Sequence, residues 1–127
     1  MKSMKIGFIV FCMMSLMACE GSDTYRGAWK AVDMGGAKLE LTFDAKELAI
    51  KDITGKKTAF PYTQHSVKIN NSIKTYGIQL GDGRTFFLLF PNPQDQTIAI
   101  FEDGQQKPVY ALSRNGYKTY DDISRLQ

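Results

Sequence analysis

The chain has 127 residues, enough for one domain, and 43% of them are hydrophobic. The whole chain has 16 basic and 13 acidic residues, a formal net charge of +3. Lys2 and Lys5 account for most of it, because the chain from residue 19 onward has 14 basic and 13 acidic residues. This near-neutral balance gives no basis for nucleic-acid binding.

The N-terminus has the arrangement of an export signal. Two lysines precede an apolar run of about 11 residues, which is too short to span a bilayer. The run ends in Leu16-Met17-Ala18-Cys19, which resembles the lipobox of bacterial lipoproteins. The resemblance implies that residues 1–18 are a signal peptide, and that Cys19 becomes the first residue and carries lipid chains of the palmitate type. An ordinary signal peptide with an incidental cysteine is the alternative.

Several expectations follow from lipidation at Cys19. The 109-residue mature chain would be anchored by lipid in the bacterial cell envelope, and Glu20 slightly favours the outer membrane if the host is Gram-negative. Residues 19–24 are predicted to be a short polar tether that reaches at most about 16–18 Å. No disulfide would form within one chain, so the domain of residues 25–127 must be held together by its core.

From residue 25 onward, apolar side chains recur with a period of two and tight-turn residues interrupt them. This pattern is typical of β-strands joined by hairpin turns. The predicted strands are Tyr25–Val32, Lys38–Phe43, Leu48–Ile53, Thr58–Thr63, Ser66–Asn70, Lys74–Leu80, Thr85–Phe90 and Thr97–Phe101, with Pro108–Ser113 as a further candidate.

The predicted fold is therefore all-β, an antiparallel meander of about eight strands that forms a small barrel or sandwich. The predicted core residues are Leu39, Leu41, Phe43, Ile50, Val67, Ile69, Ile78, Leu80, Phe86, Leu88, Ile98 and Ile100.

The C-terminal segment is predicted to form either a short helix or a frayed tail. Tyr117, Tyr120, Ile123 and Leu126 recur every third residue, and Asp121 is the expected cap. The strand from Phe86 to Phe90 is apolar on both faces and needs cover on its outer side, so we expect the helix to lie near Phe87 and Leu89.

Residues with catalytic chemistry are scarce in this sequence. His65 is the only histidine and is expected to be exposed, so no catalytic residue, metal site or cofactor is predicted. The protein is therefore not expected to be an enzyme.

Gly27-Ala28-Trp29 opens the first strand, and Arg114 follows the last one. This combination resembles the lipocalin and fatty-acid-binding superfamily, whose barrels begin with Gly-x-Trp on strand one. The resemblance implies that Trp29 plugs one end of a barrel and that the Arg114 guanidinium stacks on the indole ring within about 6 Å of its centroid. Gly27 would let the chain bend tightly into the strand. The alternative is that Trp29 is the largest core residue of another β-sandwich.

Two functions remain open at this stage. The first is a lipid-anchored envelope protein that acts by protein–protein interaction, as an inhibitor, an immunity protein or an assembly factor. The second is a lipocalin-like binder of a small hydrophobic ligand. A cavity of about 300 Å³ or more favours the ligand binder, whereas a solid core with an exposed apolar patch favours the interaction protein.

Overall fold

The structure is a computed structural model that describes residues 21–125, so the predicted signal peptide and Cys19 lie outside the described residues. The described part contains eight strands and one short helix. They are β1 (Gly27–Asp33), β2 (Lys38–Phe43), β3 (Glu47–Lys51), β4 (Lys57–Asn70), β5 (Ile73–Leu80), β6 (Thr85–Phe90), β7 (Ile98–Asp103), β8 (Pro108–Ser113) and α1 (Tyr120–Arg125).

The strands close into a barrel in which each one pairs antiparallel with its neighbour in sequence. Closure is made by β1 and β8, where Ala31 pairs with Leu112 and Asp33 with Tyr110. The predicted all-β antiparallel meander is therefore confirmed, and the structure is a barrel rather than a sandwich. Closure gives every strand two neighbours and removes the free edges of an open sheet.

The predicted fourth and fifth strands are one continuous strand, β4. Its pairing with β5 runs from Tyr62 opposite Leu80 to Asn70 opposite Ile73, with a register shift between Gln64 and Ser66. The prediction of a break at this point was wrong. A β-bulge accommodates one extra residue without ending the ladder, so a polar dipeptide within a strand can mimic a turn signal.

Most predicted core residues do lie inside the barrel, among them Leu41, Phe43, Ile78 and Leu88. Val67 and Ile69 do not, because their side chains are 48% and 65% exposed. The alternation of side chains was read correctly, since Val67 pairs directly with the buried Tyr76. However, β3 pairs with β4 only up to Pro61. The end of β4 therefore extends past its neighbour, and these two side chains are only partly covered.

The predicted C-terminal helix is present as α1 and lies against β7 and β8. Its Ile123 is fully buried and packs in a small outer cluster with Ile98, Ile100, Ala111 and the predicted neighbour Leu89. Phe87 is not part of that cluster, and Leu126 lies outside the described residues.

The helix cap differs from the prediction, because Thr119 makes it instead of Asp121. The Asp122 amide donates to Thr119 Oγ1 at 3.1 Å, and the Thr119 amide donates to Asp122 Oδ2 at 3.0 Å. This reciprocal pair satisfies two amides that the first helical turn would otherwise leave unpaired. Asp121 instead pairs with Arg125 one turn later, at 2.6 Å.

In the part of the chain that the structure describes, no helix is long and apolar enough to cross a membrane.

Candidate functional site

One end of the barrel, here called the Trp29 end, is where β1 begins and β8 ends. The Trp29 side chain is only 1% exposed, and its indole Nε1 donates to the Tyr25 carbonyl at 2.9 Å. The ring lies 6.1 Å from the ring of Phe90, centroid to centroid. A large aromatic group with its single polar atom bonded can be buried at little electrostatic cost, so it fills this end of the barrel.

Arg114 lies across the indole, as the sequence predicted. Its guanidinium carbon is 3.8 Å from the centroid of the Trp29 ring, well inside the expected 6 Å. Nη1 donates to the Ala28 carbonyl at 3.0 Å, and Nη2 donates to the Thr24 carbonyl at 3.3 Å. Desolvation lowers the pKa of this guanidinium below its usual value, but an arginine remains charged at neutral pH. The side chain therefore ties the end of β8 to the start of β1.

Gly27 is required by this arrangement for two separate reasons. Its φ of +99° lies in a region that residues with a Cβ rarely adopt. A Cβ added there would also lie 3.2 Å from Arg114 Nη1, closer than normal contact allows. The glycine thus provides both the bend and the space that the guanidinium needs.

The residues before β1 also close the Trp29 end. Gly21 is buried, and its amide donates to the Ala45 carbonyl at 2.8 Å. The hydroxyls of Ser22 and Tyr25 both donate to Gln64 Oε1, at 2.6 and 2.7 Å. Burial raises the pKa of the Tyr25 hydroxyl, which therefore stays protonated and able to donate. Residues 21–24 were predicted to belong to the short polar tether, and they fold onto the barrel instead. Gln64 accepts a hydrogen bond from the Ser22 hydroxyl, and the Ala45 carbonyl accepts one from the Gly21 amide.

The opposite end of the barrel, here called the cavity end, holds a half-open cavity of about 390 Å³. Most of its lining is apolar, and three aromatic rings form one wall: Phe86 and Phe101 stack at 4.9 Å, and Phe101 and Tyr110 at 6.0 Å. The complete lining is Leu39, Leu48, Ile50, Asp52, Lys56, Thr58, Phe60, Leu80, Arg84, Phe86, Phe101, Val109 and Tyr110.

The rim of the cavity carries the charged groups. Arg84 and Lys56 supply two positive charges, and Asp52 supplies one negative charge. The Arg84 guanidinium lies 5.3 Å from the ring centroid of Phe60 and 5.6 Å from that of Phe86, and pairs with Asp82 at 2.9 Å. The Asp52 carboxylate is engaged within its own turn, where Oδ1 accepts from the Thr54 hydroxyl at 2.6 Å, a bond that lowers its pKa.

Each of the four hairpin turns at the cavity end is held by an aspartate that accepts backbone amides of its own turn. Asp33 accepts from Gly35 and Ala37, and Asp103 from Gln105 and Lys107, all within 3.1 Å. Asp52 accepts from Thr54 and Lys56 in the third turn, and Asp82 accepts from the Arg84 amide in the fourth. A carboxylate bonded in this way fixes the turn backbone. The cavity mouth therefore has a defined shape.

His65 is exposed at the β4 bulge, as expected. Within residues 21–125 no group of three or more His, Cys, Asp or Glu side chains could hold a metal ion.

The cavity was not predicted from the sequence, although three of the residues that line it were predicted to be core residues. Leu39, Ile50 and Phe86 were predicted to be core residues, and they are only half buried because they face the cavity. A sequence signal was available. Each of them lies at or near the strand end next to an aspartate-containing turn, which places it at one rim of any closed meander.

These features define a class of protein: a small, closed, eight-stranded antiparallel barrel plugged at one end by Trp29 and Arg114 and open at the other. This architecture is consistent with a lipocalin-like fold. Comparison with protein-family models, curated proteins and solved structures finds no match for the chain.

Proposed function

We propose that this protein is a lipid-anchored, non-enzymatic binding protein that holds a small ligand in the cavity end of its barrel. The observation that carries the proposal is the 390 Å³ cavity with its aromatic wall. That volume lies at the small end of the range for ligand pockets, and the apolar, aromatic lining distinguishes this cavity from other surface depressions of similar volume. The ligand is therefore a small molecule rather than a long-chain lipid.

The lining determines the chemical class of the ligand. Stacked rings and aliphatic side chains favour an apolar, preferably planar, body. Arg84 and Lys56 offer donors at the rim to an anionic group at the other end of the ligand, because a guanidinium has five N–H donors and only two of the Arg84 nitrogens contact Asp82. Arg84 is suited to bind that group because two aromatic faces and Asp82 hold its guanidinium in place before binding, which reduces the entropy lost on association.

The position of the cavity relative to the anchor limits where the ligand comes from. The chain enters the barrel at the Trp29 end, where Gly21 is buried, whereas the cavity opens at the other end. An anchor on Cys19 would hold the Trp29 end against the membrane. The cavity would then face the aqueous compartment, so the ligand would be collected from solution.

Blocking the cavity should abolish binding of a fluorescent probe of the proposed class. Anilinonaphthalene sulfonate has an apolar aromatic body and one negative charge, and its emission rises in a dry site. Thr58 lies at the cavity mouth and pairs with the inward-facing Ile50, so Thr58→Trp should place an indole in the cavity and lower probe affinity at least tenfold. Thr63→Trp is the matched control, because Thr63 is exposed on the same strand and does not line the cavity.

Arg84→Gln should lower the affinity for this anionic probe about tenfold, since a hydrogen bond to a charged group contributes about 1.5–3 kcal/mol. The affinity for the uncharged phenylnaphthylamine should stay the same. Equal binding of both probes to the Thr58→Trp variant and the original chain would contradict a ligand site in the cavity. Lys107→Gln, in the turn between β7 and β8, controls for a nonspecific loss of positive charge.

Protein–protein interaction is the second candidate function, and exposed apolar side chains at the cavity end favour it. Ile53 is 82% exposed and Met34 is 48% exposed, each in a turn held by an aspartate. Rigid turns that present apolar groups away from the anchor are suited to contact another envelope protein.

For this second function, we expect a photo-crosslinker placed at Thr54 in intact cells to trap one partner. The double variant Met34→Ser, Ile53→Ser should remove the product because it removes both apolar contacts. Val67→Ser, Ile69→Ser, at the other end of the barrel, should leave it unchanged. A product that persists in the Met34→Ser, Ile53→Ser variant would rule out the cavity-end turns as the interface.

A further inference from the structure

The hairpin formed by the end of β4 and the start of β5 lies at the Trp29 end of the barrel, where β4 runs past β3 while β5 stays paired with β6 as far as Lys74. It is called the projecting hairpin here and comprises residues 66–75. After Pro61, β4 no longer pairs with β3, and its last four residues are exposed on both faces. Val67 and Ile69 are the apolar residues of this stretch, at 48% and 65% exposure. Solvent-exposed apolar residues on a strand without cover indicate a contact surface.

The charge of the projecting hairpin is entirely positive. Lys68 and Lys74 lie on it, and no acidic residue occurs between His65 and Gly77. Lys74 pairs directly with Ile69, so the amine and the apolar side chain share one face of the hairpin. Apolar groups beside lysines are the combination that binds at the boundary between acyl chains and anionic headgroups.

The N-terminal chain meets the barrel at the base of this hairpin. Ser22 Oγ donates to Gln64 Oε1 at 2.6 Å, and Gln64 is next to the bulge from which the hairpin extends. Cys19 precedes Gly21 by two residues, which span at most about 7 Å. A lipid on Cys19 would therefore bring the bilayer surface close to the projecting hairpin.

We propose that the projecting hairpin docks on a phospholipid surface with anionic headgroups, inserting Val67 and Ile69 beside the lipid anchor. The inference rests on the lipid anchor of the proposed function and adds a second membrane contact that fixes the orientation of the barrel. A single flexible attachment would let the domain tumble, whereas two contacts hold the cavity away from the bilayer. Lys68, on the exposed end of β4, also disfavours addition of a further strand there, which argues against a protein strand as the occupant.

The test places an environment-sensitive fluorophore on the hairpin of the full-length chain. Asn70→Cys carries the label, in a Cys12→Ser background, and the protein is reconstituted in phosphatidylcholine vesicles with or without 30% phosphatidylglycerol. We expect a blue shift of emission and quenching by spin-labelled lipid when the anionic lipid is present. Gln105→Cys, in an exposed turn at the cavity end, is the matched control and should report water in both cases.

Two double variants separate the contributions to docking. Val67→Ser, Ile69→Ser should abolish lipid quenching of the Asn70 label. Lys68→Gln, Lys74→Gln should weaken docking about fivefold per lysine and remove its dependence on phosphatidylglycerol. Lys56→Gln, Lys107→Gln, at the cavity end, should have no effect.

Mass spectrometry of the same samples distinguishes failure of the anchor from failure of the hairpin. Acylated Cys19 with an Asn70 label as hydrated as the Gln105 label would overturn the docking proposal and leave the anchor intact. A Cys19 found without lipid would overturn the anchor, and a quenched Asn70 label in the Cys19→Ala form of that chain, where no second thiol takes the fluorophore, would still support docking. A label that is shielded by an envelope protein extract, and not by lipid, would overturn docking in favour of a protein partner.

Discussion

Replacement of Trp29 by alanine should lower the free energy of unfolding by about 3–5 kcal/mol, the usual cost of truncating a buried large aromatic side chain. The indole is 1% exposed and fills the Trp29 end of the barrel, so its loss leaves a cavity that strand pairing prevents from collapsing. It also leaves the Arg114 guanidinium without the ring it covers. For a domain whose total stability is about 5–15 kcal/mol, this is a large fraction of the whole. Urea unfolding followed by circular dichroism measures it.

Arg114 variants test whether this end of the barrel is stabilised by the contact between the guanidinium and the indole or only by the volume of the Trp29 side chain. Arg114→Ala should cost about 1–2 kcal/mol, because two backbone carbonyls lose their donors as well as the ring losing its cation. Arg114→Lys should recover only part of that loss, since an ammonium group cannot reproduce the planar stacking. A Trp29→Ala cost below about 1 kcal/mol would show that this end of the barrel is not a structural closure.

Replacement of Cys19 by alanine should abolish incorporation of labelled palmitate and leave a chain that no longer partitions into detergent. The effect is all-or-none because the cysteine sulfur is the proposed attachment atom. Several acyl chains at one residue anchor stably, since each buried methylene group contributes about 0.8 kcal/mol. Metabolic labelling followed by detergent phase separation measures both results.

The sequence provides its own control for lipidation. Cys12 lies within the predicted signal peptide, so Cys12→Ser should label and partition as the original chain does. Normal acyl labelling of the Cys19→Ala variant would refute the lipoprotein assignment. Loss of labelling in both variants would mean that Cys12 is also needed for acylation, and that labelling by itself does not assign the lipid to Cys19.

Strand order was predictable because each strand is short, alternates between polar and apolar residues, and ends at a turn that contains Gly, Asn, Asp or Pro. Seven of the eight observed strands correspond to single predicted strands. The exception is β4, which was predicted as two strands. The polar residues near His65 form a β-bulge, and polar residues of this kind also occur in turns, so the local sequence does not distinguish the two. Only the partner strand β5, which continues pairing through the bulge, distinguishes them.

Burial was less predictable than alternation. Val67 and Ile69 follow the same apolar alternation as Leu41 and Phe43, yet they are exposed where those two are buried. The alternation of apolar residues predicts which face of the strand a side chain is on. Whether that side chain is buried depends on the elements that pack against that face. The difference in length between β3 and β4 removes the cover, and no residue within β4 reveals it.

The contact between Trp29 and Arg114 joins residues 85 positions apart, and the sequence predicted it only through a family resemblance. The cavity had no such guide. Arg84, Lys56 and Tyr110 come from different strands and turns, and strand tilt together with barrel closure brings them to one rim.

By itself, the sequence determined seven of the eight strands and the turns between them, because alternation and turn chemistry depend on neighbours along the chain. Tertiary structure alone decided that one end is filled while the other is hollow. At the Trp29 end an indole, a guanidinium and the segment of residues 21–24 converge. At the cavity end the lining side chains leave a half-open cavity of about 390 Å³. The volume between strands distant in sequence is a property of their packing, and local periodicity carries no information about it.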